Sequence, residues 1–289
     1  MKKIILITEE DFKTKLGVAK KIKGQANAFM EHGFETYMFY VNGDRIIAKS
    51  LYEKNKETVW EKRRSITGLI QFYEKAINYV KKLKPDVVYI RSPFHEPNYI
   101  RFLRKLKKNG IRIFVEFPTY PYDNEYKNKS FLKRNMLWID KIYRRKVKKY
   151  VEHCITYTQY SEIFGVKATK IENGIDASSI PIANKREGEK DNTLNLIGVA
   201  NVSNWHGYDR VIKGLSDYKS KHEELPVSLS IIGEGNAYNE LEVLAKKFDL
   251  TEKVKLYGSL NGKSLDAKFT DVDIGVDVLG MHRRGYNEC

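Results

Sequence analysis

With 289 residues, 42% of them hydrophobic and 31% charged, the chain has the length for two domains of ordinary size and the apolar content for a sizeable core. Its apolar runs fall well short of the eighteen or so residues a spanning helix needs, and the run after Met1-Lys2-Lys3 is shorter than a secretory leader's, so neither a spanning helix nor export is expected and a cytoplasmic location is. Two cysteines, Cys154 and Cys289, support neither a disulfide framework nor a thiolate metal site, while 52 Lys and Arg against 37 Asp and Glu, a formal charge of +15, call for an anionic partner.

In chain order, a β-branched run at 3–8 predicts a strand and 18–31 a helix stopped by Gly33. A strand at 36–41 and a helix at 65–82, stopped by Pro85, follow. Next come a strand at 86–90, a helix at 99–108 ended by Gly110, a strand at 111–117, a helix at 130–151, and strands at 153–156 and 168–171. This alternation predicts βαβ units on a parallel sheet. The stretch 127–149 holds ten Lys and Arg against the single acid Asp140, interleaved with Phe131, Met136, Leu137, Trp138, Ile142, Tyr143 and Val147. Helical spacing gathers many of these apolar residues on one side, which suits a membrane-surface helix and equally an ordinary amphipathic helix with a solvated basic face.

Around 182–192 the chain turns polar and charged and reads as a linker, giving expected domains 1–182 and 183–289. A second alternation follows: strand 194–200, helix 207–219, strand 227–232, helix 238–248, and strands 254–257 and 274–278. A doubly wound domain ending soon after that strand is expected to be incomplete.

In open α/β sheets, ligands bind beyond the carboxyl ends of the strands, where glycines let a phosphate approach helix N-terminal amides. Gly17, between the first strand and its helix, and Gly233-Glu234-Gly235, between a strand and a helix, both fit that place; a loop glycine is as often purely structural. The aromatics of Tyr120-Pro121-Tyr122 suit stacking on sugar faces. Asp271-Val272-Asp273 has the outline of a metal-binding Asp-x-Asp, but it introduces a buried strand, so no metal is expected.

Several clusters, taken in order, carry a resemblance: Asn173-Gly174-Ile175-Asp176; Gly198 to Gly207 leading into Trp205-His206-Gly207-Tyr208-Asp209-Arg210; Gly233-Glu234-Gly235; the strand entry at Asp271; and the final Tyr286-Asn287-Glu288. The chain resembles retaining glycosyltransferases of family 4, of a capsule or exopolysaccharide type. The resemblance implies a GT-B fold, two Rossmann-like domains with parallel sheets facing across a cleft, the first for the acceptor and the second, here truncated, for a nucleotide sugar. It also implies retaining transfer of a sugar from a UDP- or GDP-type donor, with no other cofactor, to a glycan or polyprenol-linked acceptor in surface polysaccharide synthesis.

On that resemblance, the donor contacts fall to Gly17, Asn173, His206, Arg210, Gly233, Glu234, Gly235, Arg283 and Arg284, with a helix surface the alternative place for Arg210 and a solvated loop for Arg283 and Arg284, and Glu288 matches the first glutamate of the family's Glu-x7-Glu element, whose second member is absent. Arg91, Tyr120 and Tyr122 would border the acceptor, with His95 assisting proton transfer from its hydroxyl or serving as a capping residue. The chain departs from the family where Val199 and Ala200 follow Gly198 without the usual arginine, and where His206 replaces the common lysine. The histidine usual after the fourth strand is also missing, its place taken by Glu116-Phe117-Pro118. An anionic membrane surface is an expected partner through the 127–149 helix, and nucleic acid is not. The alternatives are a silent donor-binding partner or GT-B epimerase, and a basic nucleic-acid-binding protein, for which no helix-turn-helix, zinc-finger or RNP-type sequence is present.

Overall fold

The computed structural model describes residues 1–14, 16–53, 56–63, 65–126, 130–177, 180 and 192–284. The chain divides into two compact units, Met1–Ala177 and Ser178–Cys289. The boundary expected at 182, and all but the last residue of the expected linker, lie outside the described residues.

The first unit runs β1 (Lys3–Asp11), α1 (Leu16–Glu31), β2 (Glu35–Asn42), β3 (Arg45–Ser50), β4 (Glu57–Glu61), α2 (Ser65–Leu83), β5 (Val87–Arg91), α3 (Pro97–Lys108), β6 (Arg112–Phe117), α4 (Phe131–Arg144), β7 (His153–Thr156), β8 (Glu162–Ile163) and β9 (Val166–Lys170). Its sheet has the order β4-β3-β2-β1-β5-β6-β7-β9-β8. The middle strands are parallel, with Ile5 of β1 between Tyr37 of β2 and Val88 of β5, and antiparallel hairpins close both edges. Because side chains alternate along a strand, β1 contributes Ile5 and Ile7 to one face and Ile4 and Leu6 to the other. The first face packs on Phe72, Tyr73, Phe102 and Leu103 of α2 and α3, the second on Ala19, Ile22 and Ala26 of α1. Both faces are covered, as a parallel sheet requires.

The second unit runs β10 (Leu194–Val199), α5 (Tyr208–Lys219), β11 (Val227–Ile232), α6 (Tyr238–Lys247), β12 (Val254–Leu256), α7 (Lys263–Asp266) and β13 (Ile274–Gly275). Its sheet, β12-β11-β10-β13, is wholly parallel, and α5 and α6 supply Tyr208, Ile212, Leu215 and Leu241 to its core. Both units are Rossmann-like α/β, the architecture of a GT-B protein.

Some elements differ from the sequence expectation. Strands β3 and β4 fall where the sequence expectation names no element, and Gly43-Asp44 makes a two-residue turn between β2 and β3, with Gly43 at φ 64°. The helix expected to run to 151 ends at Arg144, where the chain turns so that Val147 and Val151 enter the core before β7. The strand expected at 168–171 begins at Val166 because it folds back on β8, and that expected at 274–278 pairs only through Ile274 and Gly275.

Candidate active site

Parallel strands bring the carboxyl ends of β1, β5 and β6 to one edge of the first unit, and a cavity of about 610 Å³ opens there. Polar walls come from Glu9, Glu10, Arg91, His95 and Asp140, and apolar walls from Phe94, Phe117, Tyr126, Met136 and Ile139. Helix α3 starts beside it on Pro97, and Glu96 caps it by accepting from the amides of Asn98 (2.9 Å) and Tyr99 (2.6 Å), which fixes the preceding residue, His95.

His95 is buried and bound to Asp140 of α4. Its Nδ1 lies 2.7 Å from Asp140 Oδ1, and its backbone N–H donates to the same oxygen at 2.9 Å. Asp140 Oδ2 accepts from the Tyr122 hydroxyl at 2.8 Å, with Arg144 at 3.5 Å. Burial pushes the Asp140 pKa up, but the bonds and charge of His95, with the Tyr122 hydrogen bond, more than offset this and hold it below the ordinary carboxylate value. The His95 ring stacks on Phe117 at 5.8 Å with edge contacts to Tyr99 and Phe164, and its Nε2 has no hydrogen-bond partner among the described residues.

On the opposite face of the sheet, buried Glu116 takes the Arg91 guanidinium at 2.6 Å, the Tyr89 hydroxyl at 2.8 Å and Gln25 Nε2 at 2.8 Å. Arg91, expected at an acceptor, is therefore tied first to Glu116, with Glu10 at 3.8 Å. Glu9 points to the cavity side and bonds the Tyr73 hydroxyl; burial, with the charges of Glu96 and Glu10, outweighs that bond and the nearby Lys62 and pushes its pKa up to about 7. Glu9, Glu116 and Asp140 were not assigned to the site in the sequence, where the signals were an acid in an apolar strand for Glu116 and one among cations for Asp140.

Other expected site residues scatter around this edge. Gly17 is in the first turn of α1 with open space where a side chain would be, which suits a ligand approach. Asn173 accepts from Lys21 Nζ at 2.7 Å, and that ammonium also sits 3.7 Å from the centre of the Tyr157 ring. Tyr120 stands edge-on to Tyr160 and Phe164, and Tyr122 has its hydroxyl committed to Asp140, so it supports His95 as well as lining the cavity.

In the second unit, the loops after β10 and β11 lie against each other. Val202 N–H donates to Glu234 O at 2.9 Å, and Ala237 N–H to Val202 O at 3.1 Å. A methyl group at Gly233, whose φ is 121°, would lie 1.8 Å from Ala200 O, and one at Gly235 2.1 Å from Val202 O. The glycine pair is thus required by the neighbouring backbone, whatever else it does. Gly198 is likewise small because the buried Tyr208 ring packs over it.

His206 Nδ1 lies 3.1 Å from Ser203 N and 3.2 Å from Ser203 O, able to accept from the first in one tautomer and to donate to the second in the other, and the ring stacks on Tyr208 at 5.7 Å. Two of the expected phosphate cations are otherwise engaged. Arg283 clamps Asp209 with bonds of 2.6 and 3.2 Å, depressing that carboxyl's pKa, and Arg210 donates to Leu279 O at 2.7 Å. Both hold the segment after β13 onto the start of α5. A cavity of about 300 Å³ lies beside this clamp, lined by Ser203, Asn204, Gly207, Asp209, Glu240 and Arg283. Glu288 and the side chain of Arg284 lie outside the described residues. Asp273 joins β13 to β10, accepting Asn195 N–H at 2.8 Å. Among the described residues, no three His, Cys, Asp or Glu side chains are grouped to hold a metal.

Residues 179–276 match the family model described as glycosyl transferases group 1. No curated protein matches the chain in sequence. Among solved structures, the chain is similar to the catalytic domain of starch synthase IV from Arabidopsis thaliana bound to ADP and acarbose, with a TM-score of 0.63 at 11% identity, covering 95% of this chain and 77% of that one. It is similar to a glycosyltransferase from Rickettsia africae (TM-score 0.56, 12% identity, 95% and 72% covered) and to Anabaena HepE in complex with UDP (0.54, 12%, 95% and 73%). At these identities the likeness is one of fold, and the fold is GT-B.

Proposed function

We propose that this chain is a glycosyltransferase that moves a sugar, with retention, from a nucleoside-diphosphate donor of the UDP or GDP type to a glycan or polyprenol-linked acceptor, in the building of a surface polysaccharide. One observation carries the reading. The segment that matches the glycosyl transferase group 1 model folds as the second unit, with its two glycine-bearing loops gathered beyond the carboxyl ends of β10 and β11, where open α/β sheets take phosphates.

As the bond to the leaving diphosphate breaks, negative charge grows on the phosphate oxygens, and donors fixed in advance lower that barrier most. The amino ends of α5 and α6 and the His206 ring are the groups assigned to that task. Glu234 completes the second unit's donor contacts. On the acceptor side, the first unit's cavity supplies aromatic walls for sugar faces and His95 for the hydroxyl proton. No metal or other cofactor is invoked, since Asp273 of the Asp-x-Asp sequence is occupied in closing β13 onto β10.

Helix α4 supports attachment to an anionic membrane surface. Of its residues only Asp140 is buried; Phe131, Leu132 and Trp138 are 77%, 70% and 66% exposed, with Lys133, Arg134 and Lys141 on a neighbouring arc. No described helix is long and apolar enough to cross a membrane, so attachment would be along the surface. The test of function is to incubate the full chain with UDP- and GDP-sugars and a polyprenol-phosphate glycan acceptor. Product whose new anomeric centre matches the donor's supports the reading; inversion, or no transfer from any donor, overturns it.

A further inference from the structure

We propose that the first unit carries a second binding site, at the edge of its sheet opposite the candidate active site, for a small molecule bearing phosphate. The inference stands apart from the glycosyltransferase reading and does not rest on it.

The amino ends of β1, β5 and β6 meet the carboxyl ends of α2 and α3 around a cavity of about 730 Å³. Its cations come from separate stretches of the chain: Lys2 just before β1, Lys81 and Lys84 at the end of α2, and Arg112 at the start of β6. One acid, Asp86, lines it with them, and its Oδ2 already accepts the Lys3 N–H at 2.7 Å. Arg112 is likewise engaged, donating to the two oxygens of Glu152 at 2.6 and 3.1 Å. Lys2, Lys81 and Lys84 have no acidic partner among the described residues. Like charges gathered without a counter-ion repel one another, and an anion seated between them removes that repulsion.

Lysines often end helices because their charge suits the last carbonyls, and Lys81 by itself needs no other reason. Lys84 is different. Helix α3 is followed by Gly110 in the left-handed conformation, φ 74°, the usual way for a helix to stop. Helix α2 reaches the same position with Lys84 at φ 52°, its N–H donating to Val80 O at 2.8 Å. Glycine takes that backbone without steric cost and lysine does not, so the fold holds this ammonium at the cavity rim against a local preference for glycine. Such a conformation at a cavity rim points to a use for the side chain.

The free groups narrow the ligand. Arginine's planar fork matches a carboxylate, and the arginine here is taken by Glu152; ammonium groups act as point charges and suit the oxygens of a phosphate. The volume falls in the range of small-molecule sites, and Pro85, Val87 and Ile111 supply an apolar wall for the rest of the ligand.

The experiment is amide NMR of the ¹⁵N-labelled full chain titrated with pyrophosphate at physiological salt. The expected result is saturable shifts at Lys84, Asp86, Gly110, Ile111 and Arg112, whatever happens in the second unit. Lys84→Gly relieves the left-handed backbone and is expected to melt about 2–4 °C higher, yet to bind pyrophosphate at this site about tenfold more weakly. Lys81→Gln is expected to weaken binding similarly. Shifts confined to the second unit overturn the proposal, as does a Lys84→Gly chain that gains stability and keeps its affinity. Glucose 1-phosphate and vesicles of phosphatidylglycerol separate the sources of phosphate. The sugar phosphate is expected to move the same amides; a response to vesicles alone would make this edge a membrane contact and overturn the small-molecule site.

Discussion

Arg91 Nη1 lies 2.6 Å from Glu116 Oε1, and the two side chains are 12% and 1% exposed, so the first unit carries an ion pair inside its sheet-to-helix layer. Glu116 faces α1 through Gln25, whereas the cavity residues His95 and Glu9 lie on the α2 and α3 side. Arg91 stands between the two, at the end of β5. Removing it leaves a buried carboxylate with only neutral donors. Arg91→Ala is therefore expected to destabilise the unit by about 3–5 kcal/mol in urea unfolding, with Arg91→Lys costing less. A loss under about 1 kcal/mol would mean that Glu116 is protonated or solvated in the native state.

Glu9 gives the unit a pH dependence of definite sign. Its pKa of about 7 lies above the ordinary glutamate value of 4.5, so the native state holds this proton more tightly than the unfolded chain. The resulting contribution is fully present below pH 4.5 and is lost as pH rises through 7, a difference of up to about 3 kcal/mol. Glu9→Gln should remove that slope, gaining stability relative to the unmodified chain between pH 5 and pH 8. Parallel melting curves of the two across that range would expose an error.

Much of this was legible in the sequence, and the misses have physical causes. The alternation of β-branched runs with helices gave both sheets, because a parallel strand buried on two faces must be apolar along its length. Strands β3 and β4 escaped because they are added antiparallel, outside the βα rhythm, with Gly43-Asp44 between β2 and β3 as the one short turn signal. Asp140 lay in plain view as the one acid among ten cations, yet only the folded chain brings it to His95, 45 residues earlier. Gly233-Glu234-Gly235 was noticed for phosphates, but the contact that explains both glycines is with a loop more than thirty residues upstream. Arg210 and Arg283 were read from their charge and their place in the chain, neither of which says that Leu279 O and Asp209 already hold them.

The glycines separate packing from propensity. Gly233→Ala and Gly235→Ala drive a methyl into the facing backbone and should cost about 1–3 kcal/mol each. Gly214→Ala, exposed inside α5 with open space around it, should instead gain about 0.5–1 kcal/mol. Chemical denaturation of the three variants gives opposite signs if the loops pack as described.

Membrane attachment through α4 is testable with the exposed Trp138 as reporter. Its emission should move to the blue on adding vesicles rich in phosphatidylglycerol at low salt, and much less with neutral vesicles or at high salt. A Trp138→Ser chain whose remaining emission gives the same shift would place the contact elsewhere.

The central claim, that the second unit takes a nucleotide-sugar donor, is tested most directly by thermal unfolding of the full chain with UDP, GDP, ADP and CMP, beside an oligonucleotide of equal phosphate content at two salt concentrations. The account predicts that UDP or GDP raises the melting temperature selectively and that the shift survives added salt; at a hundredfold excess over the dissociation constant the gain is about 2.7 kcal/mol. No shift with any nucleotide, or an oligonucleotide shift that vanishes with salt, would contradict it.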